Sequence, residues 1–201
     1  MNRLPLLGLA LAALLSACAS ETANTAGPRP SSNVVRPSSA NDRFTEEEVV
    51  NAGAKFFGTT SESFAAAIER VFKEQGTPVG YIEGEEGSGA FIVGLRYGNG
   101  TLVLRNGERK KVYWQGPSVG FDAGGNGSKV FTLVYDLNDP ERLYQRFPGV
   151  DGSAYFVAGF GVNYQRADGV TLAPIRTGVG LRLGANVGYL AYSRKQRINP
   201  F

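Results

Sequence analysis

The spacing of apolar residues changes repeatedly along this chain, and each change marks an element. An apolar run from Leu4 to Leu15 comes first, and residues 19 to 43 then show no apolar period. A helical period takes over at Thr45-Glu46-Glu47-Glu48, a capping box with threonine at the N-cap and glutamate three residues on. The acids of that first turn oppose the helix dipole, and Gly58 is placed to stop the helix after about Phe57. A second helix is expected from Thr60 or Ser61. Its stripe is Phe64, Ile68, Val71 and Phe72, with Gly76 and Pro78 as the stop.

Beyond Pro78 the period is two, the alternation of strands. Ala90 to Arg96 and Thr101 to Arg105 flank Gly98-Asn99-Gly100 and read as a hairpin. Asn106-Gly107 gives a further tight turn before Lys111 to Trp114. Val119 to Ala123 and Lys129 to Tyr135 flank the loop Gly124-Gly125-Asn126-Gly127. Asp139-Pro140 opens a short helical turn through Arg146, with proline at its favoured first position.

Two long strands, Ala154 to Arg166 and Thr177 to Tyr192, are expected to close the chain, with Gly169 and Pro174 in their connection. In the last of them Val179, Leu181, Leu183, Ala185, Val187, Tyr189 and Ala191 share one face. The opposite face carries Gly178, Gly180, Arg182, Gly184, Asn186, Gly188, Leu190 and Tyr192. Such glycines let a strand coil around a small barrel; the alternative is a smooth trough for a chain-like ligand. The expected fold class is therefore mainly β: a small antiparallel β-barrel or strongly coiled sheet, preceded by two α-helices and carrying one short helix insertion. The two helices are expected to plug or cover one opening.

The first residues change where such a domain would work. Arg3, the apolar run and Leu15-Ser16-Ala17-Cys18 have the layout of a bacterial lipoprotein signal, with Cys18 the residue that is acylated after cleavage. The run is too short to span a bilayer, which takes about 20 residues. Ala19 and Ser20 supply no aspartate to hold the protein at the inner membrane. The expected location is the periplasm, anchored by lipid to the inner leaflet of the outer membrane. Residues 19 to 43, rich in Pro, Ser, Asn and Thr, read as a disordered tether whose coil spans roughly 25–30 Å. All 12 Phe, all 9 Tyr, Trp114 and 25 of the 27 Gly lie from Phe44 onward, which places the core there. The organisation is a signal peptide over 1–17, acylated cysteine and tether over 18–43, and a barrel domain over 44–201.

Composition then narrows the chemistry. The chain has no histidine, and its one cysteine is Cys18. The commonest general base, the commonest metal ligand and any Ser-His or Cys-His pair are thus missing. The formal charge falls from +3 to +2 when Arg3 leaves with the leader, too mild to argue for nucleic acid. No cofactor and no metal site are expected. Glu83, Glu85 and Glu86, adjacent acids in a glycine-rich run, read as a solvated loop or as paired carboxylates for acid-base work or calcium; a carboxylate enzyme would have to use Glu85, Glu86 or Asp122, about 5–10 Å apart. Arg109-Lys110-Lys111 and Arg194-Lys195-Gln196-Arg197 are the basic clusters, suited to blunting strand edges or meeting anionic head groups. Trp114 beside Tyr113 reads as a core tryptophan or a stacking platform for sugar. Candidate ligand or membrane contacts are thus Trp114, Arg182, Arg194, Lys195 and Arg197.

Three stretches carry a resemblance. The helix opening Phe44 to Glu48, the segment Gly116-Pro117-Ser118-Val119-Gly120-Phe121-Asp122-Ala123-Gly124-Gly125 and the ending Gly188-Tyr189-Leu190 to Asn199-Pro200-Phe201 resemble the EipA family of periplasmic envelope-integrity proteins. That resemblance implies a small soluble β-barrel with helical decoration, a role in maintaining the cell envelope and no catalytic residues. Members are generally free in the periplasm, so Cys18 is a departure. Gly116, Ser118 and Gly120 are also similar, more weakly, to the start of the SYLF lipid-binding domain, which implies lipid binding. The expected function is a non-enzymatic envelope lipoprotein that binds lipid, a polysaccharide intermediate or a partner protein. The alternatives are a carboxylate-based glycan-acting enzyme and a structural scaffold.

Overall fold

The structure, a computed structural model, describes residues 42–89, 93–119, 127–177 and 188–197. The expectations for the leader, Cys18, residues 19 to 41, Asp122, Arg182, the glycine row 178–187 and Phe201 lie outside those residues. Among the described residues no helix is long and apolar enough to cross a membrane.

Both expected helices form where their caps put them. Helix α1 spans Glu46–Phe57; the Glu48 amide donates to the Thr45 hydroxyl at 3.3 Å, and the Glu48 carboxylate accepts from the Thr45 amide at 2.9 Å. A cap of this kind contributes about 1 kcal/mol. Helix α2 spans Ser61–Gln75 behind Thr60 and buries Phe64, Ala67, Ile68 and Val71. Gly53 sits where α1 meets α2, and a Cβ there would overlap the Phe64 ring. Its absence lets that ring lie against the backbone of α1.

Among the described residues ten strands make one antiparallel sheet. They are β1 (Gly80–Gly89), β2 (Val93–Leu104), β3 (Arg109–Val119), β4 (Ser128–Tyr135), β5 (Arg146–Pro148), β6 (Tyr155–Val157), β7 (Phe160–Val162), β8 (Gln165–Ala167), β9 (Val170–Thr177) and β10 (Tyr189–Ser193). The order is β5-β10-β3-β2-β1-β4-β9-β7-β6, with β8 also on β9. One bridge, Gly149 to Gln165, joins the chain just after β5 to β8, so the curled sheet meets its own far end. The Val150 amide donates to the Tyr164 carbonyl at 2.9 Å beside it. A 3-10 helix, Pro140–Leu143, is the short insertion before β5; it stops at Leu143, and Arg146, expected within it, opens β5.

Alternation along each strand builds two cores. Phe131, Leu133 and Tyr135 of β4 with Ala173 and Ile175 of β9 face α1 and α2, where Val49, Phe64 and Ile68 cover them. Residues of the other parity, Ile82, Leu102, Val112, Trp114, Val130, Val134, Leu172, Leu190 and Tyr192, meet across the concave side. The helices therefore cover the outer wall at β4, β9 and β7, not an opening. Among the described residues the side chains of the concave side pack against one another as one buried cluster.

Several boundaries differ from the expected ones. Gly98-Asn99-Gly100 does not turn; it lies inside β2, and neither glycine takes a positive φ. A Cβ on Gly98 would overlap the Trp114 indole, and one on Gly100 the Glu83 carbonyl. Those glycines serve close approach, not reversal. Glu83, Glu85 and Glu86 lie in β1, not in a loop. The long strand expected over 154–166 is three short ones. Ala158 and Gly159, at φ 50° and 86°, turn β6 into β7. Gly107, at φ 87°, makes the expected turn before β3.

Asp168 and Gly169, at φ 46° and 80°, form the tight turn between β8 and β9. Pro174 belongs to β9, not to a connection. Its carbonyl accepts from the Asn163 amide between β7 and β8, where the outer ladder is interrupted. A residue with no N–H is tolerated at such a break.

Candidate functional site

Two groups of polar side chains stand out, one on each face of the sheet. The inner one centres on Glu86, which β1 aims into the concave core and leaves 6% exposed. Arg176 of β9 donates to its carboxylate from Nε at 2.6 Å, the Trp114 indole donates at 3.2 Å, and Arg96 of β2 lies at 3.7 Å. Arg176 also donates to the Asn163 side chain at 2.7 Å. Burial alone would raise the Glu86 carboxyl; Arg176, Arg96 and the donated hydrogen bonds outweigh it and hold the group below the usual carboxylate range. Burial likewise raises the neighbouring Tyr192 phenol. A carboxylate so held is a structural lock, unsuited to taking up or releasing protons near neutrality.

Trp114 owes its place to glycines. Gly84 and Gly98 face it from β1 and β2, and a Cβ on either would overlap the ring. The indole is 2% exposed, so it is a core residue and not an open platform for sugar. Tyr113 points to the opposite face of β3 and is half-buried.

The outer group follows from strand register. Gly87, Tyr97, Gln115, Ala191 and Arg146 are successive partners across β1, β2, β3, β10 and β5. Glu85, Asn99, Tyr113 and Ser193 form the adjacent row. Strands about 4.8 Å apart make the first row roughly 19 Å long. Two hollows lie along it. One, of about 210 Å³, is lined by Glu85, Tyr97, Asn99, Tyr113, Gln115 and Gln196 among others. The second, of about 430 Å³, is lined by Gln115, Tyr144, Arg146, Arg194, Lys195 and Arg197 among others. Gln115 borders both.

Charge is divided between the two ends. Arg194 pairs with Glu141 and lies over the Tyr144 ring at 4.6 Å. Arg146 covers the Tyr189 ring at 4.8 Å. Among the described residues no ion pair engages Arg146, Lys195 or Arg197. Exposed Glu85 marks the other end. The second hollow can therefore take an anion, while the first offers tyrosine rings and side-chain amides.

Of the residues singled out in the sequence, Arg194, Lys195 and Arg197 come together here. Trp114 lies on the inner face, and Arg182 is outside the described residues. Glu85 and Glu86 are consecutive in a strand and point to opposite faces, so they cannot share one substrate atom as acid and base. Gly116 and Ser118 lie in β3, where a Cβ on Gly116 would overlap the Tyr189 carbonyl; that spacing serves strand packing. Sequence reasoning missed Tyr97, Gln115, Tyr144 and Arg146. The parity of β2 and β3 would have grouped the first two with Tyr113 had β2 not been divided at Gly98.

The family model described as envelope integrity protein A, EipA, matches residues 42–201. A crystal structure of a β-barrel-like, uncharacterized protein from Brucella abortus is similar, at 54% identity over 80% of this chain and 99% of that one, with a TM-score of 0.73. No curated protein matches the chain.

Proposed function

The chain belongs to the envelope integrity protein A family, and on that premise we propose that it is a non-catalytic envelope lipoprotein that holds an anionic envelope component. Acylated Cys18 would anchor it to the inner leaflet of the outer membrane, facing the periplasm, with residues 19 to 43 as the tether. The observation that carries the binding role is the convergence of Arg146, Arg194, Lys195 and Arg197 on one hollow. The opposed Glu85 and Glu86 argue against glycan hydrolysis by that pair.

The test uses two anionic probes, tetragalacturonate and phosphatidylglycerol vesicles, titrated against the full-length protein. At least one is expected to bind. Each cation near an anionic surface contributes about 1 kcal/mol, so R194E/R197E weakens binding about tenfold or more. Equal affinity for the variant and the parent would overturn the reading.

A further inference from the structure

Resting on that anionic-binding reading, we infer that the ligand is an acidic oligosaccharide lying across β2, β3, β10 and β5. Its sugar rings sit at Tyr97 and Tyr113, and its acid group sits among Arg146, Arg194 and Arg197. The ladder register makes the two hollows one continuous track: Tyr97 opposes Gln115, Gln115 opposes Ala191, and Ala191 opposes Arg146. Tyr97 and Tyr113 are diagonal neighbours on this face, because Asn99 and not Tyr97 opposes Tyr113. Diagonal partners on a sheet stand about 7–8 Å apart, so the two tyrosines border the hollow at separate points.

The lining decides the class of ligand. Tyrosine rings offer apolar faces, and Asn99, Gln115 and Gln196 bring amide groups that both donate and accept. Among the described lining residues there is no leucine, isoleucine, valine or phenylalanine; the apolar surface is that of Trp114, Ala191 and the tyrosine rings. A sugar presents apolar ring faces and hydroxyl edges to such a surface. The charge gradient sets direction. Glu85 accepts from hydroxyls at one end and repels acids, while the cations at the other end receive a carboxylate or phosphate.

Calorimetric titration of the full-length protein with four probes tests this: tetragalacturonate, the neutral tetramer maltotetraose, inorganic phosphate and phosphatidylglycerol vesicles. Tetragalacturonate is expected to bind more tightly than the other three. Y97T and Y113T, which replace one strand-favouring residue with another, should weaken it about fivefold or more, by analogy with aromatic contacts. Phosphate affinity should stay unchanged in both. Near-UV and fluorescence signals of Trp114, the only tryptophan, verify folding; if Y113T loses them, Y97T alone decides. Phosphate or vesicles binding as tightly as tetragalacturonate, or tyrosine variants that bind it unchanged, overturn the saccharide inference and leave the anionic reading standing. Failure of every anionic probe overturns both.

Discussion

Glu86→Gln costs about 3–5 kcal/mol of stability, the cost of removing one partner from a buried ion pair. Arg176 then stays in the concave core at 13% exposure with no counter-charge, and Arg96 loses the same carboxylate. Gln fills the volume of Glu, so the loss reports charge and not a cavity. Against a typical total of about 5–15 kcal/mol, that loss is large. Acid reproduces it in the parent. The native carboxyl titrates below its ordinary value of 4.5, so its stabilisation is complete above that value. It is lost as pH falls through the depressed native value. Thermal unfolding followed by Trp114 fluorescence from pH 7 to pH 3 should show a midpoint that drops below pH 4.5 in the parent. The curve of E86Q should start lower and be flatter in that window. A variant as stable as the parent at pH 7 would mean that water reaches the pair and screens it.

Gly98→Ala is expected to cost about 1–3 kcal/mol, the range for overpacking a filled core. The added methyl enters the Trp114 indole, which Gly84 and Tyr192 hem in from β1 and β10. The backbone at Gly98 is ordinary strand, so alanine suffers no conformational penalty and the effect isolates the clash. Trp114→Leu removes the obstacle at the cost of a cavity. In the double variant the methyl occupies part of that cavity, so the combined loss falls short of the sum by about 1 kcal/mol or more. Urea unfolding of the four proteins, followed by far-UV circular dichroism, measures that shortfall. Strict additivity would show that the indole does not rest on Gly98.

The helices were legible because their signals are local. Thr45 with Glu48, and Gly58 at φ 72°, decide α1 within its own residues. The β class was legible from alternation, but the breaks within it were not. A glycine signals both chain reversal and close approach; Gly107 does the first and Gly98 the second, and only the position of Trp114 separates them. Ala158 turns the chain with a side chain that carries no turn signal. Pro174 reads as a breaker but lies where the outer ladder is interrupted, so β9 survives it. On the candidate site, the basic run 194–197 was visible as a cluster. Its partner Arg146 joins it through the pairing of β5 with β10, a contact between distant residues that no local pattern announces. Trp114 and Tyr113 were seen together, yet a one-residue change of parity sends them to opposite faces.

The most direct measurement is native mass spectrometry of the full-length protein extracted from its own host, beside R194E/R197E expressed identically. An acidic species is expected on the parent and absent from the variant. Identical mass distributions for the two proteins would contradict it.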